Sequence, residues 1–466
     1  MSWEPVIGLE IHVHLKTRTK MFCRCEVAYF DPPNTHTCPV CLAYPGALPV
    51  PNRQAIEWTI LLGHALGCSI RERAIFHRKN YFYPDNPKGY QISQYDEPLC
   101  VEGAVTVPRP DGDTVVGIER AHLEEDAAKT IHVGGAEGRI HGADRSLVDF
   151  NRAGTPLVEI VTKPDIRSPE DAKRFLQLLR QTVVELGISD AEMEKGSLRF
   201  DVNVSVRPAG SDELRTRSEL KNMNSFNFAA KGIEREVRRQ VEIWESSGEV
   251  VQETLHFDPG NESAPPLRTK EEAQDYRYFP EPDLVPLEPE REVVERLRGE
   301  LPESPAARIR RLEAEVGFSL AEGLVTSGRD ELSSRIPGER AAVANVVMNE
   351  LAALALDPQA VNADELGKVI ERRGEIPRAA FDEALAASAS PGFSAERYLA
   401  EAAIADVDEL DPVIDRILGA NEQQVADYRG GKEGLLGFFV GQVMKDTGGK
   451  ANPKVVNHRL REKLRG

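Results

Sequence analysis

Ten residues near the start of the chain, Val6 to Leu15, alternate between apolar and polar side chains. A period of two is typical of a β-strand that has one face in a core. The polar positions include Glu10, His12 and His14, which the pattern places together on the other face. This segment is therefore predicted to anchor a sheet, and its polar face is either a ligand site or a surface that meets only water.

A second stretch, Leu198 to Val206, repeats this alternation and carries Asp201 on its polar side. Two such strands predict a sheet whose polar face lines a wet cleft. Carboxylates beside a histidine also occur in His122–Asp126. They suit a hard metal ion such as Mg²⁺. The alternative is that they lie on the solvent-exposed face of a helix and bind nothing. The carboxylates that this interpretation brings together are Glu10, Glu124, Glu125, Asp201 and Glu219.

Four cysteines follow the first strand within residues 23–41, spaced as C-x-C, twelve residues, then C-x-x-C. Two closely spaced pairs suit tetrahedral Zn²⁺ bound by four thiolates, a closed site that holds a loop together. Four reduced thiols are the alternative, since disulfides are rare in a reducing compartment. The predicted zinc ligands are Cys23, Cys25, Cys38 and Cys41.

Charge is unevenly distributed along the 466 residues. The formal net charge of −18 argues against a protein that coats nucleic acid non-specifically. Residues 429–466 nevertheless carry a net charge of +6, which leaves −24 for the rest of the chain. This basic tail predicts either one localised contact with a polyanion or a solvated helix end. The candidate residues for such a contact are Lys445, Lys450, Lys454, Arg459 and Arg461.

The composition divides the chain into three predicted domains. Residues 1–292 are expected to form an α+β catalytic domain with the zinc loop as an insertion. Residues 293–406, rich in Ala, Leu, Glu and Arg, predict a helical domain, and residues 407–466 predict a helical tail domain. No apolar run reaches the ~18 residues of a membrane span, and the first strand leaves no room for a signal peptide. A cytoplasmic protein is expected.

Aromatic and basic residues are interleaved between Phe76 and Tyr90, a segment that includes Lys79 and Lys88. Such a loop suits nucleotide stacking and phosphate contact, and a packed aromatic loop is the alternative. The chain contains neither a G-x-x-x-x-G-K-[ST] loop nor a G-x-G-x-x-G fingerprint. If the protein uses ATP, a metal–carboxylate cleft must therefore hold it.

Seven runs of residues resemble the B subunits of the bacterial glutamyl-tRNA(Gln)/aspartyl-tRNA(Asn) amidotransferases. They span most of residues 1–290, and the tail pattern of that family recurs at Val443–Lys445. The runs are Val6–His12, Tyr81–Asp85, Pro87–Tyr90, His122–Asp126, Asn151–Leu157, Glu219–Asn222 and Asp275–Pro280.

The resemblance implies a cradle domain related to glutamine synthetase, followed by two all-α domains. It implies a ligase that forms a carbon–nitrogen bond on mischarged tRNA: ATP phosphorylates the side-chain carboxylate of the esterified Glu or Asp, and ammonia then displaces phosphate. The implied partners are an amidase subunit that produces ammonia from glutamine, a small clasp subunit and the tRNA. The sequence leaves open whether Glu-tRNA(Gln), Asp-tRNA(Asn) or both are substrates.

Roles for individual residues also follow from the resemblance. It implies that His12 belongs to the catalytic site, where it would orient a water or phosphate or favour Mn²⁺ over Mg²⁺, because imidazole is a poor Mg²⁺ ligand. Lys79, Lys88 and Asp201 match the exit of the family's ammonia tunnel, where a carboxylate could take a proton from ammonium. The implied ligands of Mg²⁺ and ATP are Glu10, His12, Glu124, Glu125 and Glu219.

Two other classes of protein remain compatible with these residues. A non-catalytic tRNA-binding scaffold would explain the basic tail and the zinc loop, and a metal-dependent phosphohydrolase would use the same carboxylates.

Overall fold

A computed structural model describes residues 2–28, 30–134, 142–221, 223–256, 266–269, 275–400 and 406–465, with residues 266–269 and 465 as backbone only. The chain forms two compact units, Met1–Ala307 and Arg308–Gly466. Asn222, the last residue of one family-like run, lies outside the described residues, as do residues 401–405 before the predicted tail domain.

Nine strands form the main sheet of the first unit. Neighbouring strands are antiparallel except β11 and β12, which are parallel, so the sheet is mixed and the predicted α+β class is confirmed. In spatial order the strands are β13 (Pro266–Thr269), β12 (Glu253–His256), β11 (Ser218–Lys221), β10 (Leu198–Pro208), β1 (Trp3–His14), β9 (Pro156–Thr162), β6 (Thr114–Glu125), β5 (Cys100–Val107) and β2 (Ser69–Ile70).

Two smaller sheets complete the described strands of this unit. One contains β14 (Phe279–Pro280), β3 (His77–Asn80) and β4 (Tyr90–Ser93), and the other contains β7 (Lys129–Val133) and β8 (Arg145–Asp149). The aromatic and basic segment predicted as a loop is therefore a strand at its start and irregular from residue 81 to 89.

Helices pack against the main sheet and against one another. Helix α1 packs on β5 and β6, α2 on β5 and α3, and α3 on β10. Their amphipathic sequences favour this burial: in α2, Ser168 caps the N-terminus by accepting from the Asp171 amide, and Phe175 and Leu176 are fully buried. The helices are α1 (Arg53–Ala65), α2 (Pro169–Glu185), α3 (Phe226–Glu245) and α4 (Arg291–Gly299).

The second part of the chain is helical, as predicted. It has two apolar clusters, one built from residues 324–398 and one from residues 410–464. No helix within the described residues is long and apolar enough to cross a membrane. The elements are α5 (Pro305–Val316), α6 (Phe318–Thr326), α7 (Asp330–Arg335), α8 (Arg340–Asn349), a 3-10 turn (Leu351–Leu354), α9 (Ala363–Glu371), α10 (Arg378–Ala387), α11 (Glu396–Leu399), α12 (Val407–Ala420), α13 (Glu422–Arg429), α14 (Leu435–Asp446) and α15 (Pro453–Arg465). The three-domain division proposed from composition stays a prediction.

Truncating the Ile11 side chain should destabilise the first unit much more than truncating an apolar side chain at its surface. Ile11 is fully buried in β1, whereas Val115 on β6 is 56% exposed. Ile11→Ala should lower the free energy of unfolding by about 2–5 kcal/mol, because it leaves a cavity. Val115→Ala should change it by less than about 0.5 kcal/mol. Denaturant titration measures both values, and equal losses would contradict the central position of β1.

Candidate active site

One face of the main sheet carries charged side chains across five neighbouring strands. In β1, Glu10 and His12 alternate with the fully buried Leu9, Ile11 and Val13, so the polar residues share the opposite face. The register aligns the neighbouring strands with them. The ionisable positions on this face include Glu10 and His12 of β1, Arg199 and Asp201 of β10, Glu219 and Lys221 of β11, Glu159 of β9, and His122 and Glu124 of β6.

Glu159 lies between two imidazoles. Its Oε2 atom is 3.5 Å from His12 Nε2 and 3.5 Å from His122 Nε2. Burial would raise the pKa of Glu159, but the histidines and Lys79 hold it well below its usual range. Burial lowers the pKa of His122 to about 4, so His122 is neutral near neutral pH. Burial also disfavours the charged form of His12, but the hydrogen bond and negative charge of Glu159 have a larger effect. The pKa of His12 is therefore raised above its usual value.

The donor atoms of His12, Glu124 and Glu159 lie within 4.8 Å of one another. Glu124 is buried, and its Oε2 has no hydrogen-bond partner among the described residues, although Lys79 Nζ is 3.9 Å away. Burial raises the pKa of Glu124, and the nearby charge of Glu159 adds to this while Lys79 opposes it. Two carboxylates and an imidazole form a donor set that suits a divalent cation, and the unsatisfied carboxylate oxygen fits that use.

Further carboxylates extend the acidic face toward β11. Glu10 lies opposite Asp201 in the β1–β10 register. Burial raises the pKa of Glu10, and repulsion from Glu159, Glu219 and Asp201 raises it further. Lys221 Nζ is 2.9 Å from both Asp201 Oδ2 and Glu219 Oε1, so it offsets only part of this repulsion. A bound cation would relieve the remainder.

Glu125 does not join this cluster. Its Oε1 accepts from the backbone amide of Ile92 at 3.0 Å and forms an ion pair with Lys88. Successive residues of a strand point to opposite faces, so Glu124 and Glu125 lie on opposite sides of β6. The structure therefore brings Glu10, His12, Glu124, Asp201 and Glu219 to one face, with Lys79 beside Glu124, and places Glu125 and Lys88 together on the other face.

Glu159 was not among the residues predicted from the sequence. The available signal was the strand Pro156–Thr162, in which one carboxylate interrupts an otherwise apolar run at an alternating position. Its partners come from β1 and β6, which are distant in sequence, so only the sheet order reveals the cluster.

Asp126 connects the polar face to a buried network. Its Oδ2 is 2.7 Å from His14 Nε2, 3.1 Å from Arg199 Nη2 and 3.5 Å from Arg152 Nε. Burial alone would raise the pKa of Asp126, but Arg199, His14 and Arg152 outweigh it and hold the pKa well below its usual range. Asp126 is therefore an anion that fixes neighbouring cationic and imidazole groups.

The four predicted zinc-binding cysteines form a compact cluster. Their sulfur atoms lie within 4.8 Å of one another, and the Cys38 and Cys41 sulfurs are 3.8 Å apart. Tetrahedral zinc with Zn–S bonds of about 2.3 Å requires sulfurs separated by about 3.8 Å. A hydrogen bond from Cys23 and the nearby Lys20 ammonium lower the pKa of Cys41 to about 5, which favours a thiolate. The cluster fits a metal such as zinc.

Lys20 ties this loop to the rest of the first unit. Its fully buried Nζ donates to the carbonyls of His36 at 2.8 Å and Phe150 at 2.9 Å. The adjacent Met21 amide donates to the Gly154 carbonyl, and the Gly154 amide donates to the Asp126 carbonyl. Gly154 has a φ of +83°, which glycine adopts without strain. These bonds connect the cysteine loop to the backbone of Asp126.

The predicted tRNA-binding residues belong to α14, α15 and the turn between them. Arg459 is already engaged, since its Nε donates to Asp411 Oδ1 at 3.0 Å. The other four side chains are exposed: Lys445, Lys450, Lys454 and Arg461.

These features define an α+β protein with a carboxylate–imidazole cluster on a sheet face and a separate four-thiol cluster. Residues 5–295 match the family model described as the GatB/GatE catalytic domain, and residues 331–464 match one described as the GatB domain. The chain therefore belongs to the GatB/GatE family, and the resemblance inferred from its residues is confirmed.

Full-length relatives agree with this assignment. The chain is 45% identical to a protein of Geobacter sp. (strain M21), over 100% of both chains, and 46% identical to one of Moorella thermoacetica, also over 100% of both. A protein of Carboxydothermus hydrogenoformans is 44% identical over 99% of both chains. All three are named as the B subunit of an aspartyl/glutamyl-tRNA(Asn/Gln) amidotransferase.

The cysteine cluster generates a direct test. Elemental analysis of the purified protein should find one zinc per chain, and Cys38→Ser should lose it because three thiolates hold zinc less tightly than four. The variant should also have a lower Tm. Cys68→Ser, which removes a buried thiol outside the cluster, should keep its zinc. Full zinc content in Cys38→Ser would refute the assignment.

Proposed function

We propose that this chain carries out ATP-dependent transamidation of mischarged Glu-tRNA(Gln), Asp-tRNA(Asn) or both. The observation that carries the proposal is the cluster of His12, Glu124 and Glu159 on an acidic sheet face, in a chain of the GatB/GatE family. The names of the relatives support tRNA as the substrate and a multi-subunit assembly. The proposed partners are an amidase subunit, which produces ammonia from glutamine, and a small clasp subunit.

The first step is phosphorylation of the substrate's side-chain carboxylate. One carboxylate oxygen attacks the γ-phosphorus of ATP, the bond from that phosphorus to the bridging oxygen breaks, and ADP leaves with the electron pair. Mg²⁺ or Mn²⁺, when bound, would neutralise part of the charge of the phosphates. His12, Glu124 and Glu159 are its proposed ligands, while Glu10 and Glu219 stand nearby to bind further cation or water.

The second step is displacement of phosphate by ammonia. The nitrogen attacks the acyl carbon, the bond from carbon to the phosphate oxygen breaks, and one proton leaves the nitrogen. Asp201 faces this site and is the proposed base that keeps ammonia neutral and takes that proton. Lys79 and Lys88 are the proposed cations along the ammonia path. Lys79 lies near Glu124 and Lys88 pairs with Glu125, on opposite faces of β6.

Two rival functions can be excluded by one experiment. The chain is reconstituted with its amidase and clasp subunits and supplied with ATP, glutamine and each mischarged tRNA. Mass spectrometry then identifies the amino acid released from each tRNA. A scaffold would require no ATP turnover by this chain, and a phosphohydrolase would release phosphate without forming amide. The amide that is found also identifies the tRNA substrate.

Removing one charge from the cluster should slow amidation. Glu159→Gln keeps the shape of the side chain but removes its negative charge, so the site should hold a cation less tightly and ATP-dependent amidation with free ammonia should fall by about 10- to 100-fold. The matched control is Glu119→Gln, which makes the same change at an exposed position of β6 and should be near normal. Near-normal amidation by Glu159→Gln would contradict the metal role.

The exposed tail cations should contribute to tRNA affinity through phosphate contacts. Changing Lys445, Lys450, Lys454 and Arg461 to alanine should raise the KM for mischarged tRNA more than it lowers kcat. The slope of log affinity against log salt should become shallower by about 3, since each phosphate contact contributes about 0.7 to 0.9. Arg459→Ala is a useful comparison, because this residue already pairs with Asp411. An unchanged slope in the quadruple variant would show that the tail is only a solvated surface.

A further inference from the structure

Arg199 is a cation on the polar face. Its guanidinium is held by Asp126, but only some of its N–H donors form hydrogen bonds. It lies opposite His12 in the β1–β10 register. Its Nη2 donates to Asp126 Oδ2 at 3.1 Å and is 3.5 Å from His14 Nε2. Within the described part of the chain, Nε has no hydrogen-bond partner, and no bond is made by Nη1. Nε is buried, but the Arg199 side chain is 42% exposed, so the two Nη1 hydrogens remain available while Nη2 is anchored.

Arg199 lines a pocket of about 300 Å³ beside the cluster of His12, Glu124 and Glu159. His12, Glu124, Tyr81 and Asp201 also line this pocket. A substrate group that enters this pocket would lie next to His12 and Glu124, where phosphorylation is proposed to occur. The pocket is otherwise acidic, so an anionic substrate needs a cation there.

Other cations near the pocket are already close to carboxylates through their only charged atom. Lys79 Nζ is 3.9 Å from Glu124 Oε2, and Lys221 Nζ is 2.9 Å from both Asp201 and Glu219. A guanidinium differs from an ammonium because it has five N–H donors in a fixed plane and can serve two anions at once. Arg199 can thus stay bound to Asp126 and still donate hydrogen bonds to a second carboxylate.

We propose that Arg199 binds the side-chain carboxylate of the esterified Glu or Asp, and that Asp126 and His14 act as positioning residues for its guanidinium. This inference rests on the proposed function. Arg199 orients the carboxylate so that one oxygen points toward the phosphate that it attacks, which lowers the entropic part of the barrier. The fixed charge also stabilises the negative charge of the acyl phosphate.

The arrangement makes Arg199 a specificity determinant. A carboxylate forms charge-assisted hydrogen bonds with a guanidinium, whereas the amide of the product offers a neutral oxygen and an NH₂ group that repels the donors. The site therefore distinguishes tRNA carrying the acid from tRNA carrying the finished amide. Amidation removes the charge that held the substrate, and the product leaves.

The test compares two tRNAs that differ only in this group. The complex reconstituted with its amidase and clasp subunits binds, without ATP, the mischarged tRNA that it amidates, and separately the same tRNA charged with the corresponding amide. The wild-type complex should bind the acid form more tightly. Arg199→Gln should lose about tenfold in affinity for the acid form and keep its affinity for the amide form, because a charge-assisted bond is lost. The KM for ATP should be unchanged.

Three variants separate binding from structure. Arg199→Lys keeps the charge without the planar donors and should retain part of the acid-over-amide ratio, and it replaces Arg199→Gln if that variant does not fold. Asp126→Asn should lower the same ratio without abolishing folding. Arg238→Gln, an exposed arginine on α3, is the control and should leave the ratio unchanged.

The outcomes separate the two hypotheses. If the wild-type complex forms no amide, the proposed function fails and this inference fails with it. If it forms amide but shows no preference for the acid form, or if both Arg199 variants keep the full preference, the proposed function stands and the role of Arg199 is overturned.

Discussion

The antiparallel pairing of β1 with β9 and β10 fixes the distances among the groups of the candidate site. It places Glu10 opposite Asp201, and His12 between Arg199 and Glu159. Backbone hydrogen bonds hold these residues in register, so only side-chain rotation can relieve their repulsion. The sheet thus keeps several carboxylates close together despite their mutual repulsion. A bound cation would reduce that repulsion.

The two faces of β1 have different tasks. Its apolar face lies in the core, and this burial sets the register, because a shift by one residue would turn the polar side chains inward. Stability and site geometry therefore depend on the same strand. The arrangement keeps the charged groups on regular structure rather than on a mobile loop, which suits a reaction in which two anions must approach each other.

Much of the architecture could be predicted from the sequence, because β1, β10 and α2 have clear periodicity or capping. The site was only partly predictable. The segment His122–Asp126 gave no sign of which carboxylate would face the cluster, since that depends on its being a strand rather than a helix. Glu159 and the anchoring of Arg199 by Asp126 depend on contacts between segments distant in sequence.

The buried hydrogen bonds from Lys20 to Phe150 and from Met21 to Gly154 give the cysteine loop an influence beyond its own fold. The loop supplies no group to the acidic face, yet its hydrogen bonds end on the backbone that carries Asp126. A loop that loses its shape would leave the sheet intact but relax the backbone behind one anchor of the site. Catalytic precision would then decline before global unfolding begins, because displacements of about 1 Å are enough to slow a reaction that depends on alignment. In that case the thiol cluster would support the geometry of the site through the backbone of Asp126.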